Sequence, residues 1–175
     1  MAAVKKMLGR ADADYIVALM RLMETQSKKT ISLWATCYAK EVMLPIYQKK
    51  GLEIKEIKAA FDMAEGYFKK EKSLAEMKSV SKQVIAIARQ QDLTPAAQAA
   101  ARAISAAFSS FSTPTSALGM VFYAAASVAY DREGTEQTPQ RYEEIAEQEA
   151  KNLYQRLQEI AVEGEKKPAK LNWNC

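Results

Sequence analysis

The chain has 175 residues, enough for one domain whose core needs no disulfide or metal staple, and its 25 basic and 21 acidic side chains leave a net charge of only +4. It contains no histidine, which removes the imidazole base of serine and cysteine triads, Glu-x-x-His di-iron sites and histidine-containing zinc sites. No catalytic, metal-binding or cofactor-binding residue is assigned, and the 6 glycines stand singly rather than in a phosphate-binding loop.

The lysine excess falls before Asp92 and the remainder is slightly acidic, a dipolar distribution that does not point to a nucleic-acid partner. Cys37 and Cys175 make no disulfide framework and no signal segment opens the chain, so a reducing cytoplasm is expected.

Met1 to Arg10 is basic and weakly patterned, which reads as a flexible arm. Asp12 or Asp14 can cap a helix running to about Gln26, with Tyr15, Leu19, Leu22 and Met23 on its inner face. The next helix runs from about Thr30 towards Gln48 and places Trp34, Cys37, Tyr38, Glu41 and Pro45 on one face. Pro45 has no N–H and clashes with the carbonyl four residues back, so a kink near Glu41 is expected, with Lys49, Lys50 and Gly51 ending the helix.

Glu41 is the one charged residue on that apolar stripe. A half-buried polar site formed by Glu41, Tyr38 and Tyr67 is one candidate for ligand or partner binding; the simpler reading pairs Glu41 internally with a tyrosine, a lysine or a backbone N–H. Cys37 has no histidine near it to activate the thiol and reads as a small core side chain.

From Ile54 to Lys70, Ile54, Ile57, Phe61, Ala64 and Phe68 form the stripe of a surface helix. Ser73-Leu74-Ala75-Glu76 is a capping-box sequence and starts a helix that carries Met77, Val80, Val84 and Ile87 and ends by Asp92.

Between Thr94 and Tyr130 alanine recurs every few residues and Arg102 is the only charged side chain. Thr94-Pro95 and Thr113-Pro114 are start signals, so this stretch is read as two helices, 95–111 and 114–130. The first has one small-residue face through Ala97, Ala100, Ala101, Ile104, Ala107 and Phe108; the second is apolar all round, as a helix enclosed by others is. Its apolar run, about 17 residues broken by Ser116, Gly119 and Ser127, is at the short limit for a bilayer and is read as protein-buried, with no membrane partner.

Asp131 to Gln137 reads as a surface loop. Thr138-Pro139 then opens a closing helix to about Val162, which displays Glu143, Glu144, Glu147, Glu149 and Glu159 outward. Glu143 and Glu147, one turn apart, are the candidates for an acidic partner-binding patch; the simpler reading is a solvated face with Glu147 paired to Lys151. Residues 165–175 form a tail whose Leu171 and Trp173 could dock or remain free. The fold class is therefore all-α: a single domain over 1–175, a helical bundle or stack of helical hairpins with about seven helices and the helices at 95–111 and 114–130 innermost. The same small-residue faces could pack across the axis of a homo-oligomer.

The helix Trp34-Ala35-x-Cys37-x-x-Glu41-x-x-Leu44-Pro45, the following helix with Ile57, Ala60, Ala64 and Tyr67, and the Ala96 to Tyr130 pair together resemble the immunity-protein family of bacterial polymorphic toxin systems, small alanine-rich helical proteins. The resemblance covers Thr30 to Tyr130. It implies an all-helical, non-enzymatic cytoplasmic protein that binds a cognate protein toxin and occludes it; it transfers no contact residue. The competing functions are a generic helical interaction or assembly module and, behind it, a small-ligand binder.

Overall fold

The computed structural model describes residues 3–49, 54–89 and 93–174. Its helices are α1 (Asp14–Glu24), α2 (Lys28–Tyr38), a π turn (Ala39–Met43), α3 (Leu44–Gln48), α4 (Lys55–Phe68), α5 (Leu74–Arg89), α6 (Pro95–Ser109), α7 (Ser116–Glu133) and α8 (Pro139–Ile160). Since α2, the π turn and α3 run on as one rod, the described residues form seven helical rods and no strand. Lys50, Gly51 and Asp92, read as helix ends, and Cys175 lie outside the described residues.

The alanine-rich pair is the interior. α6 packs on α7, α5, α2, the π turn and α3, while α8 lies over α7, α2 and α1, and α4 lies over α5 and α2. Ala100, Ala103, Ala107, Phe108, Ala117, Met120, Ala124, Ala126 and Ala129 are completely buried. Small side chains let the two backbones come close, and larger groups pack on the pair from outside, as where the Phe61 ring of α4 meets Phe108 of α6 at 5.1 Å, tilted by 56°. Among the described residues no helix is long and apolar enough to cross a membrane.

Helix starts follow side-chain chemistry in most places. Thr94 accepts from the Ala97 N–H and Thr138 from the Arg141 N–H. Ser73 and Glu76 complete the capping box reciprocally, at 3.2 Å and 2.6 Å. Two starts differ from expectation. α1 is capped by the extended backbone of Ala13, with Asp14 as its first residue, and α2 begins at Lys28 because Ser27 accepts from the Thr30 N–H. Thr113-Pro114 forms a turn before α7, which begins at Ser116 and continues to Glu133, so the connection after it is shorter than the expected 131–137 loop.

The π turn accommodates Pro45. Leu44 N–H bonds to the Ala39 carbonyl, five residues back, in the turn where proline has no N–H to offer. The extra residue also shifts the buried stripe: Ile31, Trp34, Ala35 and Tyr38 continue as Met43, Ile46 and Tyr47, while Glu41 and Pro45 turn outward. α2 is as enclosed as the alanine-rich pair, with Cys37 the one exposed residue between Ile31 and Ala39.

The described segments near both termini dock. Leu8 is buried and its N–H bonds to the Phe122 carbonyl, and Tyr130 Oη donates to the Lys5 carbonyl at 2.6 Å, so residues 3–10 lie on α7 rather than standing free. At the other end Gln26 exchanges hydrogen bonds with the Val162 backbone, Ala169 N–H bonds to the Gln26 carbonyl, and Trp173 Nε1 donates to Glu24 at 2.7 Å.

Candidate functional site

Of the three residues expected to share a half-buried site, two are linked and the third belongs elsewhere. Tyr38 is fully buried and donates to Glu149 Oε1 at 2.5 Å; the Arg156 guanidinium lies over the Tyr38 ring and donates to Glu41 at 2.7 Å. Glu41 itself has 62 % of its side chain exposed, so the expectation of half burial is corrected by the register shift at the π turn, and its partner is an arginine rather than a tyrosine, lysine or backbone group. Tyr67 packs edge-on against Phe68 and Phe111, with Lys29 over its ring.

The buried carboxylate is Glu149, with 5 % exposure, which the charge pattern of α8 places on the outer face. It also accepts from Asn152 at 3.3 Å. Burial, and then the Glu149 carboxylate, push the Tyr38 hydroxyl well above its ordinary range, so Tyr38 stays a donor. This cluster ties α2 to α8, as does the bond from Trp34 Nε1 to the Leu153 carbonyl at 2.9 Å. Tyr38, Glu149 and Asn152 are thus hydrogen-bonded to one another, and Arg156 to Glu41.

Glu143 accepts from Tyr15 Oη at 2.5 Å and has Arg10 at 3.8 Å, and Glu147 pairs with Lys151 at 3.0 Å. Burial and the bond to Glu143 raise the Tyr15 pKa. The two carboxylates thus have partners within the chain. Cys37, expected in the core, instead lines an open groove of about 260 Å³ between α2 and α4. Its partial burial, with Glu41 and Glu65 nearby, raises the thiol pKa and disfavours the thiolate.

A cleft of about 680 Å³ opens between α5, α6 and the start of α7, edged by the N-terminal segment. Lys6, Arg89 and Arg102 line it together with Gln98, Ser105 and Tyr123, and among the described residues no acidic side chain does. Among the described residues none of the three cations makes an ion pair, and Ser105 Oγ is the one buried side-chain polar atom without a hydrogen-bond partner. The signal for this cleft in the sequence is Arg102, the lone charge of the alanine-rich stretch, although the sequence alone does not say that Arg89 and Lys6 join it.

Fold and surface together define an all-helical protein with a close-packed interior and a cation-lined cleft. Residues 21–157 match the model of the Imm-5 like putative immunity protein family, more than half of the chain, and the protein belongs to that family. No curated protein and no solved structure matches it.

Proposed function

We propose that the chain is a non-enzymatic immunity protein that binds a cognate bacterial toxin in the cytoplasm and neutralises it by occlusion. Membership of the immunity-protein family over residues 21–157 carries this reading. The chemistry of the chain agrees with it. Without histidine the nucleophiles lack the usual base, and among the described residues every buried side-chain polar atom except Ser105 Oγ has a hydrogen-bond partner.

Occlusion needs no chemistry from the protein. A standard interface of about 1,600 Å² would suffice, with a few desolvated aromatic or arginine anchors carrying most of the affinity and complementary charge speeding capture. A rigid interior supports such a surface, because groups already fixed by packing lose little freedom on binding.

The test is co-expression with the protein encoded beside this chain's gene, scoring both survival of the host and co-purification. Rescue together with a stable complex is the expected result. Toxicity undiminished by this chain, with no complex recovered, would contradict the reading.

A further inference from the structure

We propose that the cleft between α5, α6 and α7 is the recognition surface, that it takes a carboxylate-bearing segment of the partner protein, and that Arg102 is its anchor. The identity of that partner as a toxin rests on the function proposed above; the chemistry of the cleft rests on its own walls.

Four observations converge there. Arg10, Arg21, Arg141 and Arg156 each have a carboxylate within ion-pair distance, whereas Arg89, Arg102 and the exposed Arg132 have none among the described residues, and Arg89 and Arg102 share the cleft. Ser105, one turn beyond Arg102 on α6, also lines the cleft, and its buried hydroxyl is without a hydrogen-bond partner among the described residues. Gly119, near the start of α7, also lines the cleft, and a Cβ built on it would meet nothing within 4 Å. Glycine weakens a helix relative to alanine, and here no neighbour demands it, so what its absent side chain provides is room.

The fourth observation is the mixture of surfaces. Ile85, Ala88, Ala106 and Tyr123 give the cleft apolar walls between its cations. An isolated anion would leave those walls wet. A peptide segment fills them with aliphatic neighbours while its carboxylate takes the planar guanidinium in two parallel hydrogen bonds. A nucleic acid would call for a longer track of cations and several stacking rings than these walls supply. Glu143 and Glu147 are the weaker candidates for recognition, because both are engaged by Tyr15, Arg10 and Lys151.

The experiment uses the full chain and two kinds of probe. A blocked hexapeptide of alternating glutamate and leucine is titrated into isotope-labelled protein and followed by amide chemical shifts, beside inorganic phosphate and oligothymidylate as separate arms. The peptide is expected to shift Arg102, Ser105 and Gly119. Arg102→Gln should weaken it about tenfold or more, Arg102→Lys less, and Gly119→Leu should block it, with circular dichroism confirming that each variant is folded. Lys170→Glu, a charge reversal in the separate lysine-lined hollow beside α2, is the control and should leave binding unchanged. Shifts elsewhere, no shifts, or tighter seating of phosphate or oligothymidylate than of the peptide would overturn the proposal. The same variants are then tested against the protein of the neighbouring gene. If that protein binds wild type, Arg102→Gln and Gly119→Leu equally, the cleft is not the recognition surface and the immunity reading survives. If it neither binds nor is neutralised while the peptide still seats in the cleft, the immunity reading fails and the role of the cleft in toxin capture fails with it.

Discussion

The contact between Tyr38 and Glu149 sits where neither group can reach water, so each depends on the other for its hydrogen bond. Tyr38→Phe would leave Glu149 Oε1 with Asn152 at 3.3 Å, and a loss of about 2 kcal/mol is expected in urea denaturation. Tyr154→Phe, whose hydroxyl is on the exposed side of α8, should change stability by less than about 0.5 kcal/mol. Alkaline pH tests the same contact. Because the folded protein holds the Tyr38 proton above the ordinary value of 10.0, the unfolded chain loses its proton first; the stabilisation is complete below pH 10.0 and declines as pH rises beyond it. The melting temperature of the wild type should therefore fall above that pH more steeply than that of Tyr38→Phe. Glu149 was legible in part. It lies four residues after Ile145 and four before Leu153, on the apolar stripe of α8, but its company of exposed glutamates masks the position, and its partner is 111 residues away.

Local chemistry sets the helix ends, and the sequence states it where the cap is a side chain. The Ser73–Glu76 box forms as read, so Ser73→Ala should cost about 1 kcal/mol, measurable as a lower denaturation midpoint. At the end of α4 the bonds from Lys70 N–H to the Tyr67 carbonyl and from Glu71 N–H to the Gly66 carbonyl close a Schellman turn, with Lys70 in the left-handed region at φ 65°. Glycine usually fills that position, and Lys70→Gly is expected to stabilise the protein by about 1 kcal/mol in the same assay. The π turn was not legible. Proline at 45 announces a disturbance near Glu41, but whether the rod kinks or widens is decided by what packs against it, here α6. That choice shifts the buried stripe by one residue and turns Glu41 outward, which is why periodicity alone misplaces the expected site.

At the scale of the whole molecule, the buried pair α6 and α7 can be read from composition alone, since long uncharged runs of small residues have nowhere else to go. The docking of the described segments near both termini cannot, because Leu8 on α7 and Trp173 on Glu24 are single long-range contacts without a local pattern. The cleft is of the same kind: Lys6, Arg89 and Arg102 come from three separate segments and line one cleft only once the N-terminal segment, α5 and α6 are packed. A rigid interior and the recognition surface proposed at its edge are both measured by amide hydrogen exchange of the full chain, alone and with the protein of the neighbouring gene. The slowest amides of the free chain are expected in α6 and α7, with the partner adding protection at the end of α5, along α6 around Arg102 and Ser105, and at the start of α7. Fast exchange throughout α6 and α7, or added protection confined to α8 with the cleft unaffected, would contradict this.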